Sequence, residues 1–458
     1  MDNKYTAGID KFINDNRENI IRDIARLVAI NSVEGAAEPG APFGKGPKQA
    51  LELGLEICRE LGLEAVNCED KIGYGQIGDA EDYLATITHL DVVPVGEGWT
   101  GDPFTLRERE GYIIGRGVMD DKGPSVLCLY ALKYLKDAGV PLRYSIRALL
   151  GTNEETGMGD VEYYLDNYKA PVFCFSPDSG FPVCNGEKGI CNLRIVSKTK
   201  LDKIADIRGG VAGNVIPGKA EAWVKGAKPA ATESVSVEAD GELWHLTAKG
   251  IGGHASKPEG TVNAIGVLIS YILENKLAGE EEEKFLRLLM KLHESWDGSG
   301  LGVDADDGKF EPLTIIGGVI GVEDGHIFQT VDSRYPTNTS GRKIADTISA
   351  LAGGLAEIEL KRDTAPFYMS IDNSAVKVCM DVYNAVTGED AKPYTMGGGT
   401  YARDFPNGVS FGPEHPERSY PDFFGPIHGA DEAASIDEFM EALKIYILAL
   451  IELEAVEF

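Results

Sequence analysis

Basic residues are scarce in this chain: 44 Lys and Arg stand against 73 Asp and Glu, for a formal charge of −29 at pH 7. A nucleic-acid partner is thereby excluded, because phosphate binding rests on neutralisation by Lys and Arg. An anionic membrane surface is excluded on the same ground. Cysteine is also sparse. Seven cysteines in 458 residues, an odd number without a CxxC pair, exclude a disulfide framework and predict reduced thiols in a cytoplasmic protein. Cys184 and Cys191, the closest pair, read as buried small hydrophobes. The start, MDNKYTAGIDKF, lacks both the basic and the apolar segment of a secretory signal. Long apolar runs are missing too: IYILALIEL near the end is too short to span a bilayer and has the spacing of a packed helix. No internal repeat or low-complexity tract stands out.

What is present is alternation. A chain of 458 residues exceeds the size at which single cores divide, so two or three domains are expected. Helical apolar spacing runs from about Tyr5 to Ile30 and again through Gln49–Leu61. YLATITHL then reads as a buried strand. GPSVLCLYALKYLKDAG reads as a helix with Pro124 near its start and Gly139 at its end. YSIRALLG, VEYYLDNY and APVFCFSPD follow as strand, helix and strand. This order predicts the α/β class with a mostly parallel central sheet.

The texture changes near Gly186. Strand-like runs (CNLRIVSK, KAEAWVKG, LWHLTAKG, PLTIIGGVIGV) mix there with helical ones (NAIGVLISYILEN, KFLRLLMKL, IADTISALAGGLAEI), as in an α+β domain. GEEEEKF within it reads as a solvated helix start. From about Ala375 the α/β texture returns, with helices in VKVCMDVYNAVTG and DEFMEALKIYILALIEL. The expected organisation is an α/β domain in two parts, residues 1–185 and 375–458, interrupted by an inserted α+β domain over residues 186–374.

LLGTNEETGMGD poses the chemical question. Glu154 and Glu155 stand side by side at the end of a strand, where like charges repel and packing has no use for them. Either the turn is solvated, the common case, or two carboxylates are wanted at one point in space. Other strand ends carry the same kind of residue, and in open α/β sheets ligands collect beyond the carboxyl ends of strands. YLATITHLDVV ends in His89 and Asp91, VFCFSPD ends in Asp178, and GRGVMDDKG sets Asp120 and Asp121 just before a helix. GPIHGADE offers His428 before the last helix. Taken singly each is weak, since HxD arises by chance and a lone His is usually a satisfied polar residue. Taken together they crowd acids at one rim, where repulsion would return protons to some of them. Divalent cations remove that conflict. Imidazole with carboxylate suits Zn²⁺, with Mn²⁺ or Co²⁺ as alternatives.

HLDVVPVGEGW, GRGVMDDKGP, GTNEETG, SPDSGFP and the late HGADE resemble, in order and over nearly the whole chain, the motifs of the ArgE/DapE/aminoacylase/carboxypeptidase metallopeptidases. The closest resemblance is to the PepV-type dipeptidases. It implies a zinc-peptidase-like catalytic domain with a large lid. One metal would be held by His89 and Asp178, the other by Glu155 and His428, with Asp120 bridging both. Asp91 would orient His89, as a usual partner of a metal-bound imidazole. The resemblance also implies a cis Asp120–Asp121 bond. In the inserted domain GNVIP (Asn214), GGHAS (His254) and DSRYP (Arg334) resemble lid residues that bind the substrate carboxylate and polarise the scissile carbonyl. MGGGTYA (Gly397, Gly398 and Gly399) resembles the glycine loop near the substrate's C-terminal end. Read without the resemblance, these four stretches are solvated or structural, the last a tight turn. His245, His293, His326 and His415 match no ligand position.

The reading is therefore a cytoplasmic di-metal dipeptidase in which Glu154 is the base and Glu155 a ligand, which accounts for the adjacent pair. An N-acyl amino acid deacylase or carboxypeptidase of the same fold is the alternative. Asp178 favours dipeptidase, since Glu tends to stand there in the others. A non-catalytic binding protein on this scaffold would have lost a ligand or the base, and all are present. The expected substrate is a dipeptide with a free carboxylate. The inserted region is larger than the compact lid through which relatives dimerise, so a monomer is expected, with His254 acting within its own chain.

Overall fold

The run YLATITH forms a strand whose seven residues, Tyr83–His89, are all buried. Such a strand needs neighbours on both edges and cover on both faces. In the computed structural model, which describes residues 4–458, it has both. With β1 as Glu64–Cys68, β2 as Ile72–Ile77, β3 as Tyr83–His89, β4 as Ser145–Gly151, β5 as Phe173–Ser176 and β6 as Val183–Glu187, the sheet order is β1-β2-β4-β3-β5, then the strand Gly408–Phe411, then β6. From β4 to Gly408–Phe411 neighbours are parallel. The flanking pairs are antiparallel. The parallel sheet expected from the sequence is the centre of a mixed one.

Helix α1 (Ile9–Val28) and helix α2 (Lys45–Glu60) present one apolar side each, as their spacing requires. Helix α3 (Lys122–Asp137) is buried on nearly every side and packs against the closing helix Ile436–Leu453. Pro124 sits in its first turn, where no N–H is needed, and Gly139 follows its end in the left-handed region (φ 63°). Leu127, Leu129, Leu132 and Leu135 are buried from solvent, each contributing on the order of 1.5–3 kcal/mol by apolar burial. This packing fixes the residue just before α3, and Asp120 with it.

The chain divides into two units, one comprising residues through Asn185 with Tyr368–Tyr394 and Gly399–Phe458, the other Gly186–Phe367 with Thr395–Gly398. The return to the first unit thus comes before residue 375, and Thr395–Gly398 adds a short crossing that texture alone does not reveal. The second unit is built on an eight-stranded antiparallel sheet. Its central strands, Thr314–Glu323, His326–Tyr335 and Gly189–Lys200, lie side by side. Apolar residues such as Leu193, Ile207, Leu246 and Ile320 join Leu268, Leu289 and Ile348 from three helices in one core.

Two local expectations are corrected here. GEEEEKF is not wholly solvated: Glu282 is buried and accepts N–H bonds from Asp202, Lys203, Ile204 and Gly279. It ties the helix start to a neighbouring strand. IADTISALAGGLAEI is a helix only to Ala352. Gly353 (φ 55°) and Gly354 (φ 95°) turn the chain, and Ala356–Thr364 is a strand. All seven cysteines are buried thiols. Among the described residues no helix is long and apolar enough to cross a membrane.

Candidate active site

Strands β4, β3 and β5 are adjacent and parallel, so their carboxyl ends open on one rim. His89 is the last residue of β3; Glu154 and Glu155 follow β4, and Asp178 follows β5. Asp120 reaches the rim from the start of α3, and His428 from the loop before the closing helix. His89 Nε2 lies 2.9 Å from Asp120 Oδ1 and 3.9 Å from Asp178 Oδ2. On the other side of the same carboxylate, His428 Nε2 lies 2.8 Å from Asp120 Oδ2 and 3.2 Å from Glu155 Oε2. One ligand-type atom each from His89, Glu154 and Asp178 falls within 4.8 Å of the others, as do those of His89, Asp120 and Glu155.

The residues fit a pair of cations. His89 Nε2 and Glu155 Oε1 are buried with no hydrogen-bond partner. The 2.9 Å approach of His89 to Asp120 is therefore a close contact without hydrogen-bond geometry. Donors about 2.0–2.2 Å from a tetrahedral Zn²⁺ stand about 3.3 Å apart, within the observed spread. The electrostatics agree. Burial pushes Asp120 upward, but the imidazoles of His428 and His89 outweigh it and hold the carboxyl below its usual range. Burial and then Asp120 push Asp178 up. Burial also raises Glu154, against the pull of His89 and with Glu155, Asp120 and Asp91 adding to it. A cluster that protonates its own acids is one that cations would relieve.

Asp91 does more than the sequence suggested. His89 Nδ1 is 3.0 Å from the Asp91 backbone carbonyl and 3.5 Å from its carboxylate. The carboxylate oxygens accept instead from the backbone N–H groups of Glu154 and Glu155, each at 3.2 Å. Asp91 thus clamps the two-glutamate turn onto the end of β3. Three further acids hold the rim and were not singled out as site residues. Asp121 accepts from His89 N, and its peptide bond to Asp120 is cis. Asp160 accepts from Thr152 N, Asn153 N and the Tyr401 hydroxyl. Glu432 is fully buried, pairs with buried Arg116 at 2.6 Å, and accepts from the N–H groups of Gly117, Met119 and Asp120. Arg116 in turn donates to the carbonyls of His428 and Gly429. One buried ion pair therefore positions both Asp120 and His428, the latter at φ 62°. Removing one partner of such a pair typically costs about 3–5 kcal/mol. The only signal in the sequence was the Glu of HGADE and the Arg of GRGVMDD.

The other expected residues lie in the second unit, except Gly399, which opens a segment of the first. His254 Nδ1 accepts from the Ser256 N–H at 3.2 Å and lies 2.8 Å from its hydroxyl, while Nε2 faces the Asn214 amide. Asn214 Nδ2 is 3.4 Å from the same Nε2. Arg334 donates from Nε and Nη2 to Asp332, at 2.7 and 3.2 Å, and from Nη1 to the Gly397 carbonyl. Asn192 donates to Asp332 from the next strand. None of Gly397, Gly398 and Gly399 has a positive φ. Gly397 instead passes close to Ser256, where an added Cβ would meet the serine's own at 3.0 Å.

Comparison with known proteins bears on what this rim is for. The model of the peptidase family M20/M25/M40 matches residues 85–452. The chain belongs to that family. It is 32% identical to the putative dipeptidase YtjP of Bacillus subtilis, over 95% of this chain and 97% of that protein. It is 33% identical to the Beta-Ala-Xaa dipeptidase of Lactobacillus delbrueckii subsp. lactis, over 95% and 96%. Among solved structures, the dipeptidase Dug1p from Saccharomyces cerevisiae superposes with a TM-score of 0.62 at 13% identity, covering 99% of both chains. Human carnosine dipeptidase 1 gives 0.59 at 14%, covering 98% of this chain and 99% of that one. These two establish the fold. Membership of a peptidase family makes the protein a hydrolase.

Proposed function

We propose that the protein is a dinuclear metallo-dipeptidase. The observation that carries the reading is the Asp120 carboxylate with an imidazole at each oxygen, and an extra carboxylate, Glu154, beside them. His89 and Asp178 would hold one ion, Glu155 and His428 the other, and Asp120 both. The mixed imidazole and carboxylate set suits Zn²⁺ best, with Mn²⁺ or Co²⁺ as alternatives. When bound, the ions supply Lewis acidity to the scissile carbonyl and acidify a water. Glu154 takes the proton of the attacking water and delivers it to the leaving amine; a carboxyl raised by burial toward neutrality suits both halves of that task.

His254 would donate its Nε2 proton to the carbonyl oxygen, with Asn214 beside it. Three of the five Arg334 donors are engaged within the second unit, which leaves an outer edge for the substrate carboxylate. Gly397–Gly399 would lie near the same end of the substrate. The names of the two bacterial relatives support dipeptides over N-acyl amino acids. Seven buried thiols support a reducing, cytoplasmic setting.

The test is a panel of free dipeptides, their C-terminal amides, tripeptides and N-acyl amino acids, run after metal reconstitution. Free dipeptides should be the best substrates, and amidation should cost on the order of 2–5 kcal/mol in kcat/KM, as for one side of a charge pair. Equal cleavage of acid and amide would remove Arg334 from its role. Preference for N-acyl amino acids would replace dipeptidase by deacylase. The second unit has an eight-stranded sheet and a core of its own, which supports a monomer that uses its own His254. Light scattering that reported a dimer would sink that part.

A further inference from the structure

The strand Thr314–Glu323 of the second unit carries three glycines, and glycine inside a strand marks a bulge or the close approach of another backbone. Both occur at Gly317 and Gly318. In the pairing with His326–Tyr335, Gly317 stands opposite Val331 and Ile320 opposite Gln329, so one residue is extra on the glycine side. The Thr330 hydroxyl takes up the loosened Val319 N–H at 2.8 Å. Over this bulge runs the segment that leads to Asn214. The chain leaves the strand Ile204–Gly209 and turns at Gly210 in the left-handed region (φ 79°). It passes so close that a Cβ on Gly318 would fall 2.1 Å from the Gly213 carbonyl oxygen, and one on Gly210 would fall 2.0 Å from the Gly318 carbonyl oxygen. Neither position admits a side chain.

His254 is tied to the same bulge. Val215–Ile216 pairs with Gly253–His254 as a two-stranded ribbon outside the eight-stranded sheet, and the Asn214 carbonyl accepts from the Ala255 N–H at 2.9 Å. The ribbon packs through a small cluster of its own, Ile216 and Ala255 with Ile316. Beyond His254 the chain returns to Asn263, whose side-chain amide donates to the Gly317 carbonyl at 2.7 Å while its oxygen caps the helix Ala264–Glu274. The Asn214 strand and the His254 strand therefore rest on two consecutive glycines. Both side chains are exposed, so the backbone beneath them, rather than burial, sets where they stand.

We propose that Gly318 is a positioning residue for the hydrolysis, seating the ribbon so that Asn214 and His254 reach the scissile carbonyl as one piece. The proposal depends on those two residues acting at that carbonyl. Groups that polarise a bond work only in place, and a shift of about 1 Å can cost on the order of 100-fold in rate. A carbonyl oxygen 2.1 Å from a new methyl carbon must give way by about that distance. Because Asn214 follows Gly213 directly and its carbonyl holds Ala255, the displacement reaches both residues.

The experiment is a double-mutant cycle on the metal-loaded full-length enzyme, with the free dipeptide it cleaves best. Gly318→Ala should lower kcat by about 10–100-fold with metal content unchanged. Gly213→Ala, whose Cβ would meet only the Thr330 hydroxyl at 3.9 Å, should be nearly silent. Asn214→Ala and His254→Ala are then measured in the native chain and in Gly318→Ala. Their costs should shrink to about threefold or less in the second background, because the groups removed are already out of place. A merely structural loss lowers the active fraction and leaves both costs as they were. If Gly318→Ala cannot be purified, Asn263→Asp decides: it keeps the helix cap, removes the donor to Gly317, and should shrink the cost of His254→Ala. Undiminished costs, a fully active Gly318→Ala, or an equal loss from Gly213→Ala would overturn the proposal. Silence of Asn214→Ala and His254→Ala in the native chain would instead fell the roles given to those residues, and the proposal with them. Were N-acyl amino acids cleaved and dipeptides not, the dipeptidase reading would fall, and the same cycle on an N-acyl amino acid would still judge Gly318.

Discussion

Glu154→Gln is expected to slow the chemical step by roughly two to four orders of magnitude while leaving metal content unchanged. The substitution keeps the shape of the side chain and removes its capacity to accept a proton. The fall corresponds to about 2.7–5.4 kcal/mol of barrier. Glu155→Gln is expected to fail differently. Its carboxylate contacts His428 at 3.2 Å and its other oxygen is buried without a partner, so loss of charge there weakens one metal site. Activity should then return in part as metal is added in excess. Both backbone N–H groups remain on Asp91 in either variant, so the turn itself should persist. Single-turnover rate and metal content, measured side by side, separate the two. Metal loss from Glu154→Gln with retention in Glu155→Gln would reverse the roles, and near-silence of both would restore the solvated turn.

The residues that touch one another in this rim were legible in the sequence because most follow a strand end or precede a helix, and strand ends are marked by the change from apolar to polar. His89 after seven buried residues is the plainest example. The residues that hold the rim were not legible, because their partners are remote in sequence. Arg116 and Glu432 are 316 positions apart, and nothing local tells a buried Glu from the solvated Glu of an ordinary turn. Glu282 in GEEEEKF shows the same blindness in the opposite direction, one acid of four turned inward to cap strand and helix ends. The division into units was visible as a change of texture near Gly186. Its return was not sharp, because Thr395–Gly398 passes back to the second unit within a stretch that otherwise belongs to the first.

Asp120→Asn is expected to abolish hydrolysis and to empty both metal sites at once, whereas His428→Gln should empty one. The asymmetry follows from geometry. Each oxygen of the Asp120 carboxylate faces a different imidazole, at 2.9 and 2.8 Å, while His428 reaches only Asp120 and Glu155. An amide cannot present two anionic oxygens, and Asp178, Glu154 and Glu155 would be left to repel one another across the gap. Metal stoichiometry by elemental analysis should read close to zero for Asp120→Asn and close to one for His428→Gln. A pH series adds an independent check. In the metal-free protein His428 is raised to about 10, first by contact with Asp120 and then with Glu155, so binding at that site must displace a proton. Its charged form stabilises the metal-free fold fully below the unfolded value near 6.5, and that contribution is lost as pH rises through about 10. Metal gains what the proton loses: between pH 8 and pH 6 the apparent Kd of that site should rise about a hundredfold, one decade per displaced proton per pH unit. Chelator competition at pH 6, 7 and 8 measures it. A flat profile, or two ions retained by Asp120→Asn, would mean that the shared carboxylate is not what holds this site together.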